Sequence, residues 1–246
     1  IIFKCSIDNK ICHLNIIPYH NDYGKDYNDL TRPENVNQLM RTLLSDLVIT
    51  NKTKNILLPI LNIDITHEQL QKIDELKDYA INGCSMYSFQ FTEHFYKRSS
   101  LYDFIHIYEK DLDDTTMIKI FKQIINLLIE LSTVFIGIKI NNFNLNDIDV
   151  YHLEYQNKVY PEIKLGNFLE ANIPSLVENQ FKNNKKEDIE IFIEKFENDS
   201  IIKNYKSKEF REFLTDIKKM SLKDMIKHKF LSNDKLNDNT YITESE

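Results

Sequence analysis

Two stretches of the chain carry side chains of the kind that orient a substrate or hold a metal ion. Ile138 to Val150 reads IKINNFNLNDIDV, and Ile163 to Leu169 reads IKLGNFL. Both look like places where an enzyme keeps its catalytic acids. The first offers amides, Asn142 among them, where carboxylates would be expected, and the second offers Asn167. An amide hydrogen-bonds, but it accepts no proton near neutral pH and supplies no charge. Asp147 and Asp149 are the neighbouring acids. Asp and Asn at a loop-to-strand junction commonly cap and solvate a turn, whereas a hard cation needs several converging oxygens.

The remaining reactive residues are dispersed. His94, His106 and His152 belong to no Cys/His cluster and read as surface or hydrogen-bonded histidines. Cys5, Cys12 and Cys84 lack C-x-x-C spacing, so neither a disulfide framework nor a zinc site is expected. They read as reduced, mostly buried thiols of a cytosolic compartment. The four glycines, Gly24, Gly83, Gly137 and Gly166, are isolated from one another, so no Gly-rich backbone cradle for phosphates exists.

The elements that would position these residues follow from periodicity. IIFKCSI (1 to 7) and CHLNIIPY (12 to 19) read as a hairpin with Asp8, Asn9 and Lys10 as its turn. Pro33 suits a first helical turn, and Val36, Leu39, Met40, Leu43, Leu44 and Leu47 mark one face of a helix. ILLPILNIDI (56 to 65) and MYSFQF (86 to 91) read as strands flanking a polar insert, 67 to 83, with no evident role in the core. From Met117 to Phe135 a wide apolar stripe predicts a buried helix over 115–135. DIDVYHLE (147 to 154) and YPEIKL (160 to 165) are β-prone around a YQNK turn, and helical patterns return at 186–197, 207–219 and 221–230.

Composition bounds the rest. With 246 residues, 28% charged and 11% aromatic, the chain can bury a sizeable core. Its net charge of -7, with Lys interspersed among acids, argues against nucleic acid as a partner. The KNNKK run (182 to 186) is a short solvated patch. Its longest apolar runs are too short to cross a bilayer, so no membrane partner is expected. The chain opens on Ile1 with neither an initiator Met nor a signal-peptide pattern, as a segment from inside a longer protein would.

This plan is α+β, and it resembles the protein-kinase fold, most closely the divergent kinase-like proteins of large cytoplasmic DNA viruses. RPENVNQLM (32 to 40) with ILLPI (56 to 60) is similar to the family's first-lobe helix and next strand, and FTEHFYK (91 to 97) to the lobe linker. IKLGNFLEANIP (163 to 174) resembles the metal-site strand and turn, usually I-K-L-x-D-F-x-x-A-x-I-P. KEDIEIFI (186 to 193) and LKDMIKHKFL (222 to 231) resemble the helix after the activation segment and the closing helix. The resemblance implies two lobes: a small β-rich lobe over 1–91 and a larger helical lobe over 100–232. The linker between them would be 92–99, the catalytic-loop-like hairpin 138–170, and a polar tail 233–246.

Phosphoryl transfer in that family is mostly positioning and charge neutralisation. The resemblance places the phosphate-holding lysine near Asn15, with Lys4 or Lys10 under a shifted register, and its glutamate partner near Asn37, with Glu34 the nearest acid. The histidine role of the catalytic loop falls on Ile140, the catalytic aspartate on Asn142 and the supporting lysine on Asn144. The metal-binding asparagine falls on Asp147 and the metal-binding aspartate on Asn167. Asp188 is expected to anchor the loop backbone from inside the helical lobe, since a buried carboxylate needs such partners. Only twenty residues separate Asn167 from Asp188, short for an activation segment.

The implied function is a catalytically inactive kinase-like module that serves structurally or binds a protein partner (an active kinase, a substrate or a virion component), with no catalytic residue, no metal and no cofactor, in host cytoplasm or virion. The alternative is a divergent serine/threonine kinase with weak residual activity using ATP and Mg, for which Asp147 and Asn167 form the residual cleft.

Overall fold

The structure, a computed structural model, describes residues 2–7, 10–20, 26–141, 143–155, 158–174, 176 and 186–233. Seven strands and nine α-helices are described. The first lobe holds an antiparallel sheet of β1 (Ile2–Ile7), β2 (Lys10–Pro18), β3 (Pro59–Thr66) and β4 (Met86–Glu93), in the order β1-β2-β4-β3. Strands 56–65 and 86–91 were expected as neighbours, and β3 does pair with β4. The β1–β2 register differs from the three-residue turn read in the sequence. Ile7 pairs with Lys10 and Cys5 with Cys12, so β2 starts at Lys10. Residues 8 and 9 lie outside the described residues.

Helix α1 (Pro33–Ile49) starts with proline in its first turn and buries Val36, Met40, Leu44 and Leu47 of the predicted stripe, with Leu39 and Leu43 partly buried. It lies on the side of the sheet where β4 turns its polar residues Ser88, Gln90 and Thr92, all buried.

The opposite side of the sheet is covered by the insert, contrary to its reading as a segment without a core role. Helix α2 (His67–Gln71) opens on a capping box in which Thr66 and Gln69 each satisfy the other's backbone. Leu70 and Leu76 are buried with Leu14, Ile16, Cys84, Tyr87 and Phe89 in a second core. The Tyr87 hydroxyl accepts from the Ile81 amide at 2.8 Å.

The second lobe follows. Helix α3 (Leu101–Ile107) precedes α4 (Asp114–Val134), whose N-cap Asp113 accepts from the Thr116 amide at 2.9 Å. The stripe predicted for α4 is buried from Met117 to Leu131, and Phe135, just past the helix end, is partly buried. Phe121 at its centre meets Phe192, Phe196, Phe210 and Phe213 edge-on at centroid distances of 5.1 to 5.9 Å. Those partners lie on α5 (Asp188–Asn198) and α7 (Lys208–Ile217), with α6 (Ser200–Asn204) between. The single closing helix expected over 222–231 is two short ones, α8 (Leu222–Met225) and α9 (Lys229–Ser232), broken where His228 caps α9.

A three-stranded sheet joins the lobes: β5 (Arg98–Ser100), β6 (Ile148–Tyr155) and β7 (Lys158–Leu165). The strand expected from Ile56 begins only at Pro59, because 55–57 is held elsewhere. The Leu57 amide donates to Leu165 O and the Leu165 amide to Asn55 O, at 2.9 and 2.8 Å. Gly166 permits this approach, since a Cβ there would meet Leu57 Cδ2 at 2.7 Å. Among the described residues no helix is long and apolar enough to cross a membrane.

Leu70→Ala should lower unfolding free energy by about 2–5 kcal/mol, the usual range for a fully buried leucine. Removing 67–83 should abolish cooperative unfolding in urea by uncovering Leu14, Ile16, Tyr87 and Phe89. A truncated protein that still unfolds cooperatively at the same midpoint would show that the insert is not core.

Candidate functional site

The loop after α4 is held from below by one carboxylate. Asp188, the first residue of α5 and 7% exposed, accepts from the Ile140 and Asn141 amides at 2.8 and 2.9 Å, one on each oxygen. Burial pushes its pKa up, and the two N–H bonds pull the other way. Asn141 has φ +65°, a left-handed conformation that asparagine tolerates, and its side chain donates to Glu170 O at 2.8 Å. Lys139 and Asn172 exchange backbone hydrogen bonds, which ties the loop to the chain beyond β7. Ile140 is a core residue. Asn142 lies outside the described residues, as does most of the expected activation segment and the tail from 234 onward. Asn144 occupies the turn before β6, its carbonyl accepting the Asp147 amide.

Asp147 and Asn167 are brought together. Asn167 Nδ2 donates to Asp147 Oδ1 at 2.8 Å, and Asn167 Oδ1 accepts the Leu169 amide at 3.2 Å. Burial raises the pKa of Asp147, opposed by the bond from Asn167. The two side chains are thus a hydrogen-bonded carboxylate–amide pair just before β6 and just after β7. Among the described residues, no group of three or more His, Cys, Asp or Glu converges as a metal site.

Above this pair, α1 is fastened by two side chains one turn apart. Asn37 Nδ2 donates to Gln90 Oε1 at 2.7 Å, while its Oδ1 accepts the Phe168 amide at 2.7 Å. Arg41 Nε donates to Gly166 O at 2.6 Å. Asn15 lies on β2 directly opposite Gln90. The positions where the resemblance calls for a lysine–glutamate ion pair therefore border a set of neutral amides. Lys4 and Lys10 are exposed on the β1–β2 hairpin. Glu34 is turned away, accepting from the His20 amide and from Arg32.

The front of the cleft is spanned by Arg98, which the sequence does not single out. Its Nε and Nη2 form a bidentate pair with Asp149 at 2.9 and 2.8 Å. Its Nη1 donates to His13 Nδ1 at 3.0 Å. That bond fixes the proton of a neutral His13 on Nε2, which donates to His94 Nδ1 at 3.0 Å. Burial, then the Arg98 charge, push the His13 pKa down to about 4. Burial raises the pKa of Asp149 and Arg98 acts against it, while burial lowers that of Arg41 to about 10. Phe95 stacks on Tyr151 at 4.3 Å, and the Lys164 ammonium lies over the same ring at 5.3 Å. The cleft between β2 and β6 is thus occupied by the protein's own side chains. Cavities of about 780 and 710 Å³ lie away from it, and neither is lined by Asn15, Asn37, Asp147 or Asn167.

The other histidines have structural partners. His152 sits between Ser99 Oγ (2.7 Å) and Tyr108 OH (3.2 Å), and His106 contacts Asp199 at 3.0 Å. One cue to Arg98 exists in the sequence: only four arginines occur among the 31 cationic residues. Three of them, Arg32, Arg41 and Arg98, are largely withdrawn from solvent.

No protein-family model matches the sequence. Over 181 residues, 73% of the chain, it is 36% identical to a protein of Acanthamoeba polyphaga mimivirus described as uncharacterized, and it spans 22% of that protein's length. The structure of the Neurospora crassa PAN3 pseudokinase superposes with a TM-score of 0.52 at 14% identity, covering 92% of this chain and 55% of that one. A β-rich first lobe with one helix against its sheet, followed by a helical second lobe, gives this chain a protein-kinase-like fold.

Proposed function

We propose that this chain is a pseudokinase: a kinase-like module of a large DNA virus that acts by binding a protein partner in host cytoplasm or in the virion. Its lobes would be 1–91 and 100–232, joined by 92–99. The observation that carries this reading is the bridge from Asp149 through Arg98 to His13, which fills the cleft between the lobes with paired side chains. A nucleotide entering there must separate a bidentate, largely desolvated ion pair. Amides at Asn15, Asn37 and Asn167 also withhold the charge that phosphoryl transfer needs. The similarity to a mimivirus protein supports the viral setting, and the likeness to a pseudokinase fold supports a binding role.

The second reading, weak serine/threonine phosphotransfer with Mg-ATP, draws on one observation. Asp147 is a carboxylate where the resemblance puts a metal ligand, and Asn167 is hydrogen-bonded to it.

Mg-ATP separates the two readings. A ligand specific to the folded state, at a hundred times its Kd, adds about 2.7 kcal/mol of stability. Here no rise in melting temperature is expected, and no labelled phosphate should reach protein substrates. Asn142→Asp with Asn167→Asp should not restore transfer, because the glycine cradle and lysine are still missing. A saturable Mg-ATP shift, or transfer lost on Asp147→Asn, would establish the second reading.

The bridge also makes a prediction about pH. His13 is held near pKa 4 in the folded state against about 6.5 unfolded, so the folded state binds fewer protons. The stability that neutral His13 contributes is full above pH 6.5 and is lost as pH falls toward 4. His13→Gln, which can still accept from Arg98, should make that decline shallower by up to about 1.4 kcal/mol per pH unit. Parallel profiles for the two proteins in chemical denaturation would contradict the neutral, buried His13 described here.

A further inference from the structure

The β1–β2 hairpin places two of the three cysteines face to face. Cys5 and Cys12 are direct cross-strand partners, with Sγ atoms 3.2 Å apart. Opposite residues of an antiparallel pair have Cα atoms about 4.5–5.5 Å apart. That lies inside the roughly 4.4–6.8 Å range a disulfide bridges, so closing the bond asks for movement of side chains and not of strands. Cys12 is 1% exposed, whereas Cys5 is half-buried and reachable from solvent. Cys84 is engaged elsewhere, its thiol directed at the Met86 and Tyr19 carbonyls at 3.0 and 3.5 Å.

We propose that Cys5 and Cys12 are a redox modification site, closed into a reversible intramolecular disulfide by a peroxide. In the first step the Cys5 sulfur attacks one peroxide oxygen. The S–O bond forms, the O–O bond breaks, and Cys5 becomes a sulfenic acid as water (or an alcohol) leaves. In the second step the Cys12 sulfur attacks the Cys5 sulfur, forming S–S and expelling the sulfenic oxygen as water. Two thiols lose two electrons and two protons, and the peroxide takes up both.

The two steps have unequal rates. Burial and the adjacent Cys12 push the Cys5 thiol up to about 12, so little thiolate is present and the first step is slow. The second needs no diffusion, because Cys12 is already in contact. Oxidised protein should therefore pass to the disulfide without accumulating sulfenic acid. The crosslink would fix the register of the hairpin one residue before His13, which anchors the cleft bridge.

The test uses the full chain and hydrogen peroxide. After oxidation, thiols titrated in denaturant should fall from three to one. The intact mass should drop by two hydrogens, a peptide map should link Cys5 to Cys12 with Cys84 still alkylatable, and dithiothreitol should restore all three thiols. Under the same conditions, Cys12→Ser should accumulate dimedone-reactive Cys5 with no loss of two hydrogens. The proposal is overturned if the unsubstituted protein keeps three thiols under exposure that sulfenylates Cys5 in the variant. It is equally overturned by a stable oxyacid on Cys5, by a link to Cys84, or by irreversibility. Should Cys12→Ser fail to fold, the thiol count and peptide map of the unsubstituted protein decide the matter by themselves.

Discussion

The arrangement of the cleft depends on how α1 is fixed to the turn after β7. Asn37 donates to Gln90 and accepts from Phe168 at the same time, which a carboxylate could not do, having acceptors only. One turn further on, Arg41 takes the Gly166 carbonyl. Both side chains are almost wholly buried, so each bond replaces a contact with water that the group would otherwise lose. The Arg41 clamp has a cost, since its Nη1 is buried with no partner and burial pulls its pKa down. A buried cation of this kind is retained where its removal would leave Asp149 with less positive charge nearby. An amide and a guanidinium, one turn apart, thus position α1 together.

The same principle joins the lobes at the back. Asn55, from the segment after α1, donates to Gln123 Oε1 at 2.9 Å and to Ile163 O at 2.8 Å. Gln123 in turn donates to Pro161 O and accepts the Ile163 amide, both at 2.9 Å. With the Leu57 and Leu165 backbone bonds, this network holds the first lobe to α4 and β7. Arg98 closes the front. The two lobes are thus tied at both edges.

Legibility from sequence followed the range of the interactions. Helices α1 and α4 were readable because their stripes repeat every three to four residues, and the β6–β7 pair because alternation and turn signals are local. The hairpin was readable as an element but not in register: a three-residue turn would set Cys5 against His13, and one residue fewer sets it against Cys12. The insert looked polar because its apolar residues are sparse, yet Leu70 and Leu76 suffice to cover one face of a small sheet. Motif spacing assigns Asp147 and Asn167 to one site, and the two side chains are hydrogen-bonded. Arg98, Asp149 and His13 could not be so assigned, since 51 and 85 residues separate Arg98 from its partners and no local pattern links them.

What distinguishes the acids of this site is the geometry each is asked to satisfy. Asp188 must receive two backbone N–H groups at once, one on each oxygen. An amide in its place would turn a donor toward one of them and leave a buried polar group unpaired. The folding of the loop therefore requires a carboxylate there, whatever the loop does. Asn142 and Asn167 stand at positions where the resemblance asks for charge during a reaction. Folding makes no such demand at Asn167, which as an amide meets its local needs by donating to Asp147 and accepting from Leu169. Asp188 is thus a carboxylate that the loop's backbone demands, whereas at Asn167 an amide satisfies every local contact that folding makes.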